Sequence, residues 1–398
     1  MYYCIMKPAY VSRLMQPPDR SFFLLGPRGT GKSTWLRCQF PTSLYLDLLD
    51  GSLFLELSQA PNRLEAMAAR LESEAWIVID EIQKTPALLD EAHRLMESRG
   101  LRFALCGSSA RKIRRGGVNL LAGRAITIHM EPFVSAELQE GFDLDTHLEW
   151  GSLPFVVLDP KNAAEILSAY VDTYLREEIR EEGVVRKVPP FLRFLGIAGR
   201  LNGQAVNSRN ISREAAVPRS SVDTYFSILT DTLVGYFLPA WQPRLKVREA
   251  SHPKFYWFDT GAARAAAGLL GEPPDRLWKG AALETLIFHE MRVYNETSRK
   301  HRPIAFYRTA SGAEIDFVIE TQKARSDAPP AVVCVEVKLS ERWDHRWERA
   351  MRDLAANPAL HVDRMIGVYT GPRSYRFDNV DVLPATEFLK ALHRGEVF

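Results

Sequence analysis

Short apolar runs separated by polar segments recur through the first third of the chain. They cover residues 21–25, 43–48, 76–79, 101–106 and 125–128. Continuous apolar runs of this length are typical of strands buried on both faces of a parallel sheet, with helices in between. The pattern therefore predicts an α/β domain with a parallel sheet over residues 1–150.

The pattern changes to helical spacing after residue 133. Residues 162–182 carry apolar positions at helical spacing among many charges, and residues 210–229 predict a helix, a tight turn and a second helix. The apolar stripe of that second helix consists of Val222, Tyr225, Phe226 and Leu229. We expect a helical middle module over residues 151–275.

The last third of the chain predicts a mixture of helix and strand again. Residues 280–295 have the pattern of a helix, and residues 313–319 and 331–339 have the pattern of strands. Prolines at 273 and 274 mark a boundary before them. A second α/β domain is therefore expected over residues 276–398.

The composition fits a folded chain of several domains. Of the 398 residues, 46% are hydrophobic and 25% are charged, near the averages of globular proteins. No apolar run approaches the roughly 20 residues that cross a bilayer, and the first residues lack the pattern of a secretory signal. The four cysteines form no CxxC pair. These features predict a cytoplasmic protein with no membrane span and no structural zinc.

The net charge of +2 gives no indication of a strongly basic surface for nucleic acid. Local basic surfaces remain compatible with it. The densest basic cluster consists of Arg111, Lys112, Arg114 and Arg115. Two interpretations of this cluster are open: a solvated loop, and a contact with phosphate.

The segment after the first apolar run carries the most specific motif of the chain. Residues 26–33 read GPRGTGKS, which fits the pattern G-x-x-x-x-G-K-[ST] between a strand and a helix. Glycines let successive backbone N–H groups point at phosphate oxygens, and the following helix N-terminus adds its positive dipole end. Lys32 is then expected to reach the β- and γ-phosphates, and the Ser33 hydroxyl to hold Mg²⁺. The predicted nucleotide-binding residues are Gly26, Pro27, Arg28, Gly29, Thr30, Gly31, Lys32, Ser33 and Thr34.

An acidic pair, Asp80 and Glu81, ends the third apolar run. Carboxylates at the carboxyl end of a parallel strand lie where α/β sheets place ligands. We expect Asp80 to hold Mg²⁺ through water. Glu81 is expected to activate the attacking water as a general base.

Two further polar positions are candidates for a role in hydrolysis. Ser108, followed by Ser109, ends the fourth apolar run and would contact the γ-phosphate or the attacking water; an ordinary small-residue turn is the alternative. Arg124 precedes the fifth run and would stabilise transition-state charge, in its own site or in that of a neighbouring copy. Arg111 is the competing candidate for that role.

The strands and motifs of residues 21–133 resemble the AAA+ class of P-loop ATPases, in which an additional strand separates the phosphate-loop strand from the acidic strand. The resemblance implies ATP and Mg²⁺ as ligands and ATP hydrolysis as the activity. No N-K-x-D motif for guanine occurs in the sequence, which favours ATP over GTP.

The helix–turn–helix of residues 210–229 resembles a winged helix, whose second helix enters the major groove of DNA. The basic residue of that helix is Arg219, and the candidate wing, residues 239–248, is more basic. The wing residues singled out are Trp241, Arg244, Lys246 and Arg248. DNA is therefore a candidate partner. The alternative is a helical module that packs between its two neighbours.

Acidic residues of the last domain are expected to converge with lysine. The predicted strand 313–319 puts Glu314 and Asp316 on one face and Ile315 and Phe317 on the other. The predicted strand 331–339 puts Glu336 and Lys338 together on one face.

Glu284 lies in the helix predicted over residues 280–295, beside its apolar stripe. A carboxylate in such a place needs a cation or a hydrogen-bond donor.

Glu284, Asp316 and Glu336 would supply oxygen ligands to Mg²⁺ or Mn²⁺, and Lys338 would position the attacking water. The order E…D…E-x-K resembles the restriction-endonuclease-like PD-(D/E)XK superfamily, which implies metal-dependent DNA cleavage. A surface hairpin with a cross-strand Glu–Lys pair is the alternative.

Residues 21–339 together resemble a bacterial and archaeal group of AAA+ ATPases with a C-terminal nuclease-like domain. The resemblance adds no known substrate. From the two predicted sites we expect an ATPase that couples Mg²⁺-ATP binding and hydrolysis to movement of a middle module and a nuclease-like domain, with DNA as a candidate partner and a homo-oligomer as a candidate assembly. Two alternatives are a metal-dependent nuclease with the ATPase as a switch, and a nucleotide-gated DNA-binding regulator without cleavage.

Overall fold

The computed structural model describes residues 10–108, 121, 123–175, 188–242, 252–309, 312–325 and 329–398. The predictions for Ser109, for Arg111 with its basic neighbours and for the basic residues of the candidate wing lie outside these ranges. Within them, no helix has the length and the apolar character needed to cross a membrane.

The apolar runs of the first third form a parallel sheet. Its strands are β1 (Phe22–Leu25), β2 (Leu44–Asp47), β3 (Trp76–Asp80), β4 (Arg102–Gly107) and β5 (Ile126–His129). They lie in the order β2-β3-β4-β1-β5, and every neighbouring pair is parallel. Strand β4 therefore separates the phosphate-loop strand β1 from the acidic strand β3. The carboxyl ends of all three meet at one edge of the sheet.

Helices cover both faces of this sheet. They are α1 (Lys32–Gln39), α2 (Gly51–Gln59), α3 (Arg63–Met67) and α4 (Leu88–Arg99). Phe22 and Leu24 of β1 pack with Trp35 of α1 on one face, while Phe23 and Leu25 pack on the side of α4. Burial on both faces explains why these strands appear as uninterrupted apolar runs.

Short helices lead from this sheet into the middle module. They are α5 (Ser135–Leu138), α6 (Leu144–Trp150), α7 (Pro154–Val157) and α8 (Ala163–Ala169), followed by a π-helical turn at Tyr170–Leu175. Single 3₁₀ turns occur at Ile82–Lys84, Gln139–Gly141, Pro160–Asn162 and His345–Glu348. The helix predicted for residues 162–182 is thus confirmed in its first part, and residues 176–182 lie outside the described ranges.

The middle module combines helices with a small antiparallel sheet. Its elements are α9 (Val188–Arg200), β6 (Gln204–Ala205), α10 (Ser208–Ala215), α11 (Arg219–Asp231), β7 (Gly235–Leu238), β8 (Lys254–Trp257) and α12 (Thr260–Ala266). The strand order is β6-β8-β7. The predicted helix pair corresponds to α10 and α11, and the predicted apolar stripe of α11 is buried.

The last domain is built on a mixed sheet in the order β13-β14-β12-β11-β10-β9. Its strands are β9 (Ile304–Arg308), β10 (Glu314–Gln322), β11 (Ala331–Lys338), β12 (His361–Tyr369), β13 (Tyr375–Phe377) and β14 (Val380–Pro384). Its helices are α13 (Arg276–Thr297), α14 (Arg349–Ala355) and α15 (Ala385–His393). Helices α13 and α15 pack on one face of the sheet and α14 packs on the other.

One predicted face assignment in β10 is wrong. The register between β9 and β10 shifts between Ile315 and Val318. Ile315 consequently packs with Val318 on one face of the sheet, while Phe317 packs with Ile319 on the other. An irregularity of this kind inserts a residue and interrupts the alternation of faces. Ile315 and Phe317 therefore do not share a face.

Candidate functional site

The phosphate loop, residues 26–31, connects β1 to α1 and encloses a buried lysine. Lys32 Nζ donates to the carbonyl oxygens of Gly26 at 2.8 Å and Pro27 at 2.9 Å. Thr30 Oγ1 also donates to Pro27 O, at 2.9 Å. The first backbone N–H groups of a helix lack intrahelical acceptors. The start of α1 therefore offers donors to an anion beside this lysine.

Two loop glycines leave no room for a side chain. A Cβ at Gly26 would lie 2.2 Å from the carbonyl oxygen of Met130, and a Cβ at Gly29 would lie 1.9 Å from Cε1 of Phe155. Gly29 also has a φ of +82°, which disfavours other residues. Phe155 lies in α7, so an element beyond the parallel sheet rests directly on the loop.

Asp80 and Glu81 lie at the carboxyl end of β3, beside the loop. Asp80 is 1% exposed, and its Oδ2 accepts a hydrogen bond of 2.6 Å from the Tyr45 hydroxyl. Its Oδ1 accepts the N–H of Glu81 at 3.1 Å. Neutral donors thus hold this carboxylate, so its negative charge is available to a cation. Tyr45 was not singled out from the sequence, because its position on the adjacent strand β2 is what brings it here.

Glu81, Gln83 and Ser108 form a hydrogen-bonded group on the same edge. Gln83 Nε2 donates to Glu81 Oε2 and to Ser108 Oγ, the latter at 3.2 Å. Gln83 Oε1 is buried with no hydrogen-bond partner in the described part of the chain. Glu81 has a φ of +61°, a strained backbone conformation typical of functional positions. Burial raises the pKa of Glu81, while Lys32 opposes this shift.

Arg124 does not approach this group. It precedes β5, whose first residue, Ile126, pairs in parallel with Phe22 at the amino end of β1. Arg124 Nε lies 2.5 Å from Glu97 Oε1 near the end of α4. The phosphate loop is at the opposite, carboxyl edge of the sheet, so the predicted role of Arg124 in its own site is wrong. The role in a neighbouring copy stays a prediction.

A cavity of about 280 Å³ lies beside the start of α1. Thr30, Ser33 and Thr34 line it on the side of the loop. Its mostly apolar walls include Tyr10, Val11, Phe133, Pro154 and Leu158. An apolar cavity with polar groups on one side is the general form of a small-molecule site.

A buried junction connects the first sheet to the other two domains. Glu131 Oε1 accepts hydrogen bonds from the Tyr236 hydroxyl at 2.7 Å and from Arg292 Nη2 at 2.6 Å. Tyr236 belongs to β7 and Arg292 to α13. Burial opposes ionisation of Glu131, yet Arg292 holds its pKa below the usual value. Met130, the residue before Glu131, is the one whose carbonyl oxygen contacts Gly26 of the loop.

The second group of predicted site residues lies where β10 and β11 diverge. Cross-strand pairing ends at Phe317 and Val335. Beyond this point Asp316 Oδ2 accepts the N–H of Val337 at 2.8 Å, and Glu336 Oε2 accepts the N–H of Asp316 at 3.3 Å. The two carboxylates therefore replace the missing ladder bonds, which fixes their positions between the strands.

Lysines separate the carboxylates of this group. Lys338 Nζ lies 3.3 Å from Asp316 Oδ2 and 2.5 Å from Glu336 Oε1. Lys254 of β8, which was not predicted as a site residue, contacts Glu284, Glu314 and Asp316. We refer to Glu284, Glu314, Asp316 and Glu336 as the carboxylate cluster. Burial and the charge of Asp316 raise the pKa of both Glu284 and Glu336.

The two groups differ in how they fit a metal ion. At the loop, Ser33 and Asp80 offer oxygen ligands, and Lys32 provides positive charge for the phosphates, which suits Mg²⁺ with ATP. In the carboxylate cluster, the predicted ligands Glu284, Asp316 and Glu336 are paired with lysines. Across the described ranges, no group of three or more His, Cys, Asp or Glu side chains is placed to hold a metal ion. The cluster in this arrangement therefore does not fit a metal.

Comparison with known protein families identifies the class of the first domain. Residues 18–139 match the family described as AAA domain. Residues 141–272 and 279–388 match domains of unknown function, DUF8612 and DUF4143. No curated protein matches the chain. Together with the parallel sheet and the phosphate loop, the first match shows that this part of the chain is an AAA+-type P-loop ATPase domain.

Two solved structures are similar to the chain at low identity. The Aeropyrum pernix ORC1 protein in complex with DNA is 14% identical over 65% of this chain and 88% of that chain, with a TM-score of 0.27. A Signal Transduction ATPase with Numerous Domains from Pyrococcus horikoshii, with a tetratricopeptide repeat sensor, is 12% identical over 71% of this chain and 46% of that chain, with a TM-score of 0.21. At these TM-scores the similarity carries no argument about function.

Proposed function

We propose that the chain binds Mg²⁺-ATP at the carboxyl edge of its parallel sheet and hydrolyses it to ADP and phosphate. The observation that supports this most is the meeting of Lys32, Asp80 and Glu81 beside the start of α1. Lys32 exchanges its bonds to the loop carbonyls for bonds to the β- and γ-phosphates. Ser33 and Asp80 hold Mg²⁺, which neutralises phosphate charge when it is bound.

The cavity beside α1 is proposed to receive the base and sugar of the nucleotide. Its loop-side residues Thr30, Ser33 and Thr34 belong to the predicted nucleotide-binding set, so a base in the cavity and phosphates on the loop are contiguous. The apolar side chains of Tyr10, Val11 and Leu158 in its walls suit a purine ring. The remaining predicted residues, from Gly26 to Gly31, cradle the phosphates through backbone N–H groups.

Glu81 is proposed as the general base that takes a proton from the attacking water. Gln83 acts as a positioning residue, since its Nε2 donates to both Glu81 and Ser108 and so fixes these two side chains relative to each other. Ser108 would contact the water or the γ-phosphate from the end of β4.

Hydrolysis is proposed to move the other two domains, with boundaries near residues 150 and 275. Two contacts support this coupling. Phe155 rests on Gly29, and the Tyr170 hydroxyl donates to Arg28 O at 3.2 Å, so the loop touches the helices that lead into the middle module. The Glu131 junction binds β7 and α13 to the segment that closes on the loop.

ATP binding and turnover by the full-length chain test the proposal. Lys32→Ala should abolish both, because the phosphates lose their cation. Glu81→Gln should retain ATP binding and lower turnover by about 10²–10⁴-fold, the usual contribution of a general base. Lys84→Ala is the matched control, because Lys84 Nζ also donates to a backbone carbonyl, Leu48 O at 2.9 Å, outside the loop. Equal background rates in the parent and both site variants would refute the proposal.

A second candidate function is metal-dependent cleavage of DNA by the last domain. It is favoured by the position of Asp316, Glu336 and Lys338 at the divergence of β10 and β11, with Glu284 of α13 connected to Asp316 through Lys254. The order helix, strand, helix, helix, strand, strand in the middle module, with a β6-β8-β7 sheet, also resembles a winged helix that would hold DNA nearby.

Incubation of the chain with DNA and Mg²⁺ or Mn²⁺ tests this candidate. Cleavage by the parent that is lost in Lys338→Ala would support it, whereas cleavage that persists in this variant indicates a contaminant. ATP-dependent, salt-sensitive binding without product would favour the DNA-binding regulator instead.

A further inference from the structure

Lys254 crosses from the middle module into the last domain. It is the first residue of β8, and its backbone pairs with Ala205 of β6 and Leu238 of β7. Its side chain, only 7% exposed, extends into the carboxylate cluster. The strand that carries it is the central strand of the small sheet. The position of the ammonium group is therefore fixed by the middle module, whereas its partners belong to the last domain.

The ammonium group of Lys254 lies among three carboxylates. Its Nζ is 3.8 Å from Glu284 Oε2 and 3.7 Å from Asp316 Oδ1, and it makes its closest contact with Glu314 Oε1. An ammonium group has three N–H donors, so one lysine can face all three carboxylates at once. Oxygen atoms from several carboxylates around one position are also the environment that a divalent cation requires.

The charge balance of the cluster depends on this lysine. Four carboxylates face Lys254, Lys338 and the half-exposed Arg308. Removal of a cation from a buried group of this kind leaves uncompensated negative charge, which is strongly unfavourable. A divalent ion would restore the balance, but while Lys254 is in place its ammonium group occupies the space between Glu284 and Asp316.

We propose that Lys254 is a tethered cation that occupies the metal position of the carboxylate cluster, so that the cluster as folded excludes a divalent ion and takes one up only when this side chain is removed by substitution. The inference rests on the second candidate function, since it concerns the same predicted metal ligands. It also explains why the cluster, in this arrangement, holds lysine between its carboxylates rather than space for a metal.

Binding of Mn²⁺ to the full-length, nucleotide-free chain tests the proposal, with the electron paramagnetic resonance signal of free Mn²⁺ as the readout. The parent should bind Mn²⁺ weakly, and Lys254→Met should bind one Mn²⁺ at least tenfold more tightly. The double variant Lys254→Met with Asp316→Asn should lose this gain, which places the ion in the cluster.

Lys338→Met is the matched control, because it removes the same charge from the same cluster but leaves Lys254 in place. It should show no comparable gain. An equal gain in both single variants would overturn the proposal, since loss of charge alone would then explain the binding. Parent binding as tight as that of Lys254→Met, or no binding by either, would also overturn it.

Glu314→Gln keeps the proposal testable if Lys254→Met does not fold. This variant weakens the closest contact of Lys254 and retains Glu284, Asp316 and Glu336. Its affinity for Mn²⁺ should lie between those of the parent and Lys254→Met, and unchanged affinity contradicts the proposal.

DNA cleavage is assayed separately, so that the two hypotheses can fail independently. Tight Mn²⁺ binding by Lys254→Met without cleavage supports the block and refutes the nuclease candidate. Cleavage by a parent that binds Mn²⁺ as tightly as Lys254→Met refutes the block and supports the nuclease.

Discussion

The phosphate loop and the carboxylate cluster both join lysine to acidic residues, but they balance charge in different ways. At the loop, Lys32 donates to backbone carbonyls, and Asp80 is held by a tyrosine hydroxyl and a backbone N–H. In the cluster, Lys254 and Lys338 contact the carboxylates directly. The loop thus keeps its cation and its anion separate, whereas the cluster neutralises itself.

This difference shows which of the two sites is prepared for a ligand. A lysine on carbonyl groups exchanges neutral partners for phosphate and gains charge attraction. A lysine among carboxylates must give up ionic partners before anything else binds there. We therefore expect the loop to bind its ligand directly and the cluster to require a prior rearrangement.

The largest expected effect is on the free energy of unfolding, when Lys254 and Lys32 are each replaced by methionine. Lys254→Met leaves buried carboxylates uncompensated and should cost about 3–5 kcal/mol of stability. Lys32→Met removes hydrogen bonds to carbonyls and should cost about 1 kcal/mol. Thermal unfolding in the presence of a chelator measures both, and equal losses would show that the two lysines do not differ in this way.

A smaller effect on stability is expected at two tyrosines that donate hydrogen bonds to carboxylates, one at each site. The Tyr45 hydroxyl bonds Asp80 at 2.6 Å and the Tyr256 hydroxyl bonds Glu284 at 3.1 Å. Because burial and Asp316 raise the pKa of Glu284, its carboxyl group is less fully ionised. Tyr45→Phe should cost about 1.5–3 kcal/mol and Tyr256→Phe about 0.5–1.5 kcal/mol. Thermal unfolding at pH 7 ranks them, and the reverse order would contradict the comparison.

The smallest expected effect concerns Gln83. Gln83→Ala removes one positioning group from Glu81 without touching the loop, so ATP affinity should be unchanged. Turnover should fall by about fivefold, which corresponds to about 1 kcal/mol of lost transition-state stabilisation. Gln204→Ala is the matched control, since Gln204 Nε2 also donates a hydrogen bond, to Arg200 O at 3.2 Å, but belongs to β6 of the middle module. A change in ATP affinity rather than in turnover would argue against a positioning role.

The features predicted from the sequence were mostly those set by local spacing. The loop residues are consecutive, and the strand before Asp80 is a single apolar run. Both features could therefore be recognised within a few consecutive residues of the sequence. Lys254 was not, because its partners lie between 30 and 62 residues further along the chain. It is brought to them only by the docking of β8 beside the last domain.

Two predictions were wrong, for Arg124 and for the pair Ile315 and Phe317. Both errors have physical causes that cannot be read from the order of apolar and polar residues. The prediction for Arg124 ignored strand direction, since a residue before a parallel strand lies at the amino edge while the phosphate loop follows the carboxyl edge. The prediction for Ile315 and Phe317 assumed regular alternation, and the shift between Ile315 and Val318 breaks it. Bulges depend on partner strands, which lie elsewhere in the sequence.

The contact between Gly29 and Phe155 has a consequence for how the sequence can vary. An additional methyl group at position 29 would lie 1.9 Å from the ring of Phe155, and the φ of +82° would strain any side chain there as well. Related chains should therefore keep glycine at position 29 even where position 155 carries a smaller residue. The helix that contains Phe155 can then vary only within the space that this glycine leaves.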